Sequence, residues 1–475
     1  MRHALILSVF LAGLVVLVWG RISGNPYISD EADYMYAVSL GLQANYTDTP
    51  THSFAEFLHT GLGRGRGVAE RMTLSETIRN SGDIEFYRHW HGPVAYYWWI
   101  AARAFGLGEY GVRAAMLAFH IATLLVIYFG WLWILPGPAG RLTAVLCSGL
   151  YVFSYALVRT SLEIAPHCVF VLCFVASLML LAKAVQTGDV KYWRWGLAPA
   201  AIAFCTLEVA FVLLATFAIF AWVERKRFFP GWPATRTLRW LVVSVLLFAA
   251  VVFAVWPGAF LYLAFLKSYA VLAYLAVFRK SPWGQVGLLE TWWIRVASSP
   301  MEWVAMVAGL IVFVRKPVRA ALPFLVFAVL MMGATLRVLT DSPRYVSPFL
   351  PALQIAAGAA IGSLLAARKP RTGAIVAVAV CAELFLGSLQ QGLSHRVQPD
   401  AHALAVISWL REHPLDGRRV LVPQNDLPAI HYYFPRIQLR SYADAVELAA
   451  AYEQGGFDGV LITNGPIRYD QVSNR

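Results

Sequence analysis

A chain of 475 residues is long enough for two or three soluble domains, but this one is 59% hydrophobic, 14% charged and has a mean hydropathy of +0.59. That composition excludes ordinary soluble domains and indicates a polytopic membrane protein. A net charge of +12 does not mark a nucleic-acid binder here, because the basic residues cluster in short loops between apolar runs, as a positive-inside signal does.

The first run, "ALILSVFLAGLVVLVW" (4–19), has no small-x-small cleavage site after it and is expected to remain as a first span. "SDEADYMYAVSLG" (29–41) follows. Ser29 is the expected N-cap, and Asp30, Glu31 and Asp33 fill a first turn in which carboxylates favour the helix dipole. Capping explains acids at a helix start, but not acids on different sides so close to the membrane. On a helix Asp30 and Asp33 share a face with Tyr34 beside them, while Glu31 points elsewhere. A carboxylate at the rim of a membrane cavity can act as a general base or hold a divalent cation.

Residues 21–112 read as one long, slightly acidic extracytoplasmic loop. Near its end, in "FYRHWHGPVAYYWWIAARAFG" (86–106), His89 and His91 precede a turn at Gly92-Pro93. Residues 93–106 then form an aromatic helix too short to span, expected to lie at the interface. Histidine and tryptophan also mark interfaces with no further role, so this element alone leaves both readings open.

Further spans are expected at 114–135, 141–157, 164–182 and 241–256, with 195–222 as a tight pair turning near Glu208. Three consecutive spans follow at 318–339, 345–367 and 372–390. The basic loops 223–239, 315–319 and 368–371 orient these toward the cytoplasm. "VRTSLEIAPH" (158–167) and "DSPRYVSPFLP" (341–351) then fall on the opposite face. In the first, Arg159, Glu163 and His167 are four apart and could line one helical face. In the second, Arg344, followed by Tyr345, stands at the mouth of a span, where an arginine pairs with phosphate or snorkels to headgroups. Residues 257–299 hold either another pair of spans or two interfacial helices.

The fold class is therefore a polytopic all-α membrane protein of about 11–13 spans over residues 1–396, N-terminus cytoplasmic, with a small soluble extracytoplasmic α/β domain at 397–475. In that tail 402–413 and 441–454 read as helices and 418–423 and 458–463 as strands. It has no G-x-G-x-x-G motif and is assigned no nucleotide site. The five cysteines (Cys147, Cys168, Cys173, Cys205, Cys381) lie in apolar segments and read as small buried hydrophobes.

In order, the first span, the "DEADY" helix, the long loop, "HGPVAYYW", "GEYGVRAA", "VRTSLE" and "PRYVSPFLPAL" resemble the membrane-embedded glycosyltransferases of the GT-C fold. The bacterial aminoarabinose transferases and the protein O-mannosyltransferases are nearest by pattern. The resemblance covers about residues 1–390, and the tail is similar to the soluble periplasmic domain of many such proteins. It implies transfer of a sugar from a polyprenyl phosphate to a lipid, glycan or protein acceptor at the extracytoplasmic face of the bacterial inner membrane, among membrane lipids and without nucleic acid.

The resemblance also implies roles. Asp30 is the essential carboxylate, as base or metal ligand, and Glu31 completes the acidic pair. Arg344, Arg159 and Tyr345 face the donor phosphate. His91, His89, Asp33 and Glu163 lie on the acceptor or metal side, with Asp30 and His91 as the ligands if a divalent cation takes part. The chain departs from the family pattern twice. His91 stands where aminoarabinose transferases have a carboxylate, and Leu207-Glu208 replaces a "T-K" pair at the turn of the short spans. One expected phosphate contact is thereby lost, leaving Arg344, Arg159 and Arg113 to supply charge. A transporter or flippase remains the rival reading, although no internal repeat or mid-membrane charge pattern favours it; a scaffold acting through its tail is the third.

Overall fold

The computed structural model describes residues 2–41, 91–261, 300–335, 343–368, 370–394, 399–463 and 467–471. His89 lies outside the described residues, as does most of the segment 257–299 whose spans the sequence leaves open.

Two helices precede the first gap, α1 (Arg2–Val18) and α2 (Ser29–Ser39). After it come α3 (Val94–Ala104), α4 (Glu109–Ile134), α5 (Gly137–Val152), α6 (Tyr155–Thr160), α7 (His167–Thr187), α8 (Val190–Phe204), α9 (Phe211–Val223) and α10 (Ala234–Val255). The bundle ends with α11 (Pro300–Arg315), α12 (Leu322–Thr335), α13 (Leu350–Arg368) and α14 (Pro370–Ser394). Among the described residues five helices (α4, α7, α10, α13, α14) are long and apolar enough to cross a membrane, and three shorter apolar ones (α1, α9, α12) accompany them. Burial separates their roles. The apolar window of α7 is 78% buried and lies at the bundle centre, whereas that of α10 is 17% buried and presents its side chains outward.

The expected tight pair at 195–222 is α8 and α9, joined by a 3-10 turn at Glu208–Ala210. The expected interfacial helix is α3, whose 11 residues reach about 16 Å, half a hydrocarbon core. Two local expectations are corrected. Ser29 is not the N-cap of α2: Ile28 is, no side chain caps the helix, and Ser29 itself has φ +49, a left-handed conformation that costs a non-glycine residue energy. Nor do Arg159, Glu163 and His167 line one helical face. Helix α6 stops at Thr160 and α7 starts at His167, because Pro166 disfavours helix in the residue before it and begins a new one after it.

Small residues let the central helices approach closely. A Cβ added at Gly362 of α13 would lie 2.7 Å from the Thr143 backbone of α5, and one at Gly309 of α11 would lie 2.6 Å from Ala357 of α13. Such contacts replace hydrophobic driving force with dispersion inside a bilayer. A buried polar group sits beside them, where Glu302 Oε1 accepts from the Ser154 hydroxyl at 2.9 Å and from Gln354 Nε2 at 2.7 Å.

At one end of the bundle Glu224 is a hub for the basic loops. It pairs with Arg319 at 2.6 Å and Arg227 at 3.6 Å, and Arg227 donates to the Val185 carbonyl at 2.8 Å. These bonds gather the C-terminal ends of α7 and α9 with the start of α12, so the first turns of α7 and α9 lie at the opposite end.

The C-terminal domain contains α15 (Ala401–Glu412), β1 (Arg419–Pro423), α16 (Leu427–Tyr433), β2 (Gln438–Tyr442), α17 (Ala445–Gln454), β3 (Gly459–Ile462) and β4 (Arg468–Gln471). Its sheet has the order β2-β1-β3-β4, with β1 parallel to β2 and β3 and β4 antiparallel to β3. The period-2 alternation of β1 divides the core: Val420 and Val422 pack with Val406, Leu410 and Ile430, while Leu421 packs with Ala451 and Val460. The sequence reading missed α16, β2 and β4, and its helix at 441–454 begins only at Ala445 because Ser441 and Tyr442 belong to β2.

Candidate active site

The first turn of α2 sends its carboxylates to two different arginines. Asp30 Oδ2 pairs with Arg344 Nη2 at 2.6 Å. Arg344 stands on a 3-10 turn, Pro343–Tyr345, just before α13, with its guanidinium 5.2 Å from the Tyr345 ring centroid. The pair is only partly buried, Asp30 being 43% and Arg344 25% exposed. Burial opposes the arginine's charge, but Asp30 and the Tyr345 hydroxyl outweigh it and hold the Arg344 pKa above its ordinary value.

Glu31, named with Asp30 as catalytic, is held differently. Arg113 of α4 grips both its oxygens, and Glu31 Oε1 also accepts from the Ile164 backbone N–H at 2.9 Å. Arg113 further donates to the carbonyls of Ser23 (3.0 Å) and Asn25 (2.8 Å). Its guanidinium is 5% exposed, and four of its five N–H donors are thus held by the chain.

Between these pairs lies a cavity of about 700 Å³, within the range of small-molecule sites. Asp30, Arg344, Arg159 and Glu163 line it, as do Arg21 and Asp400. Arg159 is half exposed and only loosely paired, 3.8 Å from Glu163 Oε1. Burial raises the Glu163 pKa, and Arg159 and Arg344 partly restore it. Arg21 was not among the sequence candidates. It donates weakly to the Leu389 carbonyl (3.4 Å), and its Nη1 has no hydrogen-bond partner. Its place depends on Gly392, since a Cβ there would lie 1.6 Å from the guanidinium carbon. Nothing in "WGRIS" distinguishes this arginine from a span-flanking charge; only the approach of α14 does.

On the other side of α2, Tyr34 stacks on Trp99 of α3 at 5.4 Å and lies 5.9 Å from the His91 ring. His91 Nδ1 is 2.9 Å from Glu208 Oε2, both largely buried. The two positions at which the chain departs from the family pattern are therefore partners. Asp33 is exposed at its surface, yet the protein packed around it and the nearby Asp30 charge push its pKa up to about 7. The proton leaves as pH rises through 7, adding a negative charge beside Asp30. The folded chain therefore holds this proton to higher pH than the unfolded chain does, so stability is expected to fall as pH rises from about 4 to about 7 and to level off above, and Asp33→Asn to flatten that dependence in thermal unfolding.

Each proposed cation ligand has another partner. Asp30 is taken by Arg344 and His91 by Glu208, and among the described residues no three His, Cys, Asp or Glu side chains gather as a metal site. A divalent cation would need ligands beyond this set.

The architecture can be compared with solved structures. Crystal structures of ArnT from Cupriavidus metallidurans superpose over nearly the whole chain. The apo state gives a TM-score of 0.60 at 14% identity, covering 95% of this chain and 88% of that one. The form bound to undecaprenyl phosphate gives 0.61 at 13%, covering 94% and 88%. The chain has the ArnT fold. ArnT is a GT-C glycosyltransferase, so the motif order and the three-dimensional likeness to ArnT arrive independently at one fold. By sequence the chain matches no protein-family model and no curated protein. At this identity the likeness to ArnT carries the fold, and the chemistry must be argued from the residues themselves.

Proposed function

We propose that this protein is an integral membrane glycosyltransferase that moves a sugar from a polyprenyl-phosphate donor to an acceptor at the extracytoplasmic face of the bacterial inner membrane. The observation that carries this reading is the Asp30–Arg344 pair on the wall of a 700 Å³ cavity, within a fold whose solved relative is bound to undecaprenyl phosphate. The basic loops gathered around Glu224 at the other end of the bundle support a cytoplasmic placement for that end.

In this reading a donor phosphate competes with Asp30 for Arg344. Arrival of the phosphate draws the guanidinium into a charge-assisted contact and releases the Asp30 carboxylate. The acceptor hydroxyl then gives its proton to Asp30 as its oxygen bonds to the anomeric carbon. The sugar–phosphate C–O bond breaks, and polyprenyl phosphate departs with the electron pair, neutralised by Arg344 and Arg159 with Arg21 behind them. The fixed Arg113–Glu31 pair holds the helix against which this exchange takes place.

The test is the lipid-linked and surface glycan profile of cells lacking the protein, complemented by wild type or Arg344 variants at matched membrane levels. One sugar should be missing from a glycan while its polyprenyl-phosphate donor accumulates. Arg344→Ala should lower donor kcat/KM by about 10- to 100-fold, as expected for losing hydrogen bonds to a charged group, with Arg344→Lys intermediate. An unchanged glycan profile, or wild-type behaviour of Arg344→Ala, would return the chain to the transporter reading.

A further inference from the structure

We infer that the C-terminal α/β domain is a working part of this site, and that Tyr433 is a positioning residue that sets where α2 places Asp30. The inference rests on the reading of Asp30 given above.

Helix α2 cannot hold its own position. Eleven residues are too few for a stable isolated helix, no side chain caps it, and its first residue has a strained φ of +49. Its placement must come from what packs on it. One element that does so is α16, whose contacts reach both ends of α2.

Before the first turn, the Tyr433 hydroxyl donates to Glu109 Oε1 at 2.8 Å and accepts from the Tyr27 backbone N–H at 2.9 Å. A single phenol thus ties the segment leading into α2 to the first residue of α4. Tyr27 is buried, with the Arg113 guanidinium 5.2 Å from its ring centroid and the Tyr432 ring 5.4 Å away edge-on. Arg113 in turn grips Glu31, the neighbour of Asp30. Toward the end of α2, the His431 ring stacks on Tyr36 at 3.8 Å with an interplanar angle of 26°.

Helix α16 is itself fixed to the sheet. Asp426, immediately before it, is 2.8 Å from His402 Nε2 and accepts from the Thr463 hydroxyl at 2.5 Å. These residues stand at the start of α15 and at the C-terminal ends of β1 and β3, so the rigid edge of the parallel sheet sets the register of α16. A continuous chain of contacts runs from the sheet through Asp426, Tyr433 and Tyr27 to the turn that carries Asp30. Because Asp30 must meet both Arg344 and an acceptor, a small displacement of that turn costs much of the rate.

The experiment uses the full chain in detergent. Tyr433→Phe keeps the ring packing and removes only the hydroxyl. Amide hydrogen exchange across residues 29–39 is expected to rise about tenfold, the equivalent of one hydrogen bond to a charged group. The unfolding temperature of the whole chain and the affinity for undecaprenyl phosphate should stay at wild-type values. In complemented cells the transferred sugar should fall by up to about a hundredfold. Glu109→Gln alone, which keeps an acceptor oxygen for the Tyr433 hydroxyl, should retain most of the wild-type exchange and transfer. Glu109→Leu should reproduce it, and the double variant Tyr433→Phe/Glu109→Leu should be no worse than either alone.

Unchanged exchange at 29–39 in Tyr433→Phe, or a loss of transfer that merely follows a lower unfolding temperature, would overturn the proposal. The exchange is read without substrate, so this outcome is separable from the transferase reading, which Asp30→Asn tests on its own.

Discussion

Asp30→Asn is expected to reduce transfer by about 10²- to 10⁴-fold, the range for removing a positioned general base, while undecaprenyl phosphate still binds. Asparagine has nearly the same shape and can still accept from Arg344, but it carries no charge and cannot take the acceptor's proton. The loss should therefore appear in kcat. KM for the donor should stay level or fall, because the Arg344 guanidinium, now 2.6 Å from a full carboxylate charge, no longer has to be won from an anion. Asp30→Glu, which restores the charge one methylene too far out, should fall between the two. The measurement is glycan complementation at matched protein levels, combined with a binding titration of undecaprenyl phosphate. Full rescue by Asp30→Asn would leave the pair as a structural bridge and remove the base from the mechanism.

Arg113→Met should cost about 3–5 kcal/mol of stability, the usual penalty for leaving a buried charge without its partner. The partner is Glu31, which would face a thioether while still bound to the Ile164 N–H. The Ser23 and Asn25 carbonyls would lose their donor at the same time. Glu31→Gln should be milder, since an amide oxygen in place of Oε1 keeps the Ile164 and Arg113 Nε contacts and only the Nη2 bond is lost, while Arg113 still donates to the Ser23 and Asn25 carbonyls. The double variant Arg113→Met/Glu31→Gln should recover part of the single-variant loss, which a double-mutant cycle of thermal unfolding in detergent reads directly. Below the unfolding transition, Glu31→Gln should retain turnover where Asp30→Asn does not. Equal loss of turnover in both would instead place both carboxylates in the chemistry.

These two outcomes separate residues that the sequence presents side by side. Asp30 and Glu31 are adjacent acids in one helical turn, and helical geometry correctly sends them in different directions. What each meets is decided by chain more than 80 residues away for Glu31 and more than 300 for Asp30.

The apolar runs are legible in the sequence by themselves, because a bilayer demands length and continuous hydrophobicity from each segment on its own. The tight pair around Glu208, the short helix α3 and the α/β character of the tail follow from the same local reasoning. So does the expectation that Asp30, Arg344, Arg159 and Glu163 share one face, since basic loops orient the spans between them; that they line one cavity is decided by the fold.

Other features exist only in three dimensions. The Arg113–Glu31 and His91–Glu208 pairs, the Gly392 cradle for Arg21 and the grip of α16 on α2 join segments whose spacing carries no periodic signal. Helix α16 is seven residues long, too short for a helical period to stand out from its flanking turns. Hydrophobic patterning is a local property and sets which segments cross or pack. Ion pairs and hydrogen bonds act over a few ångströms between distant residues, so only the folded chain determines which of its charges are spent on structure and which remain free for a substrate.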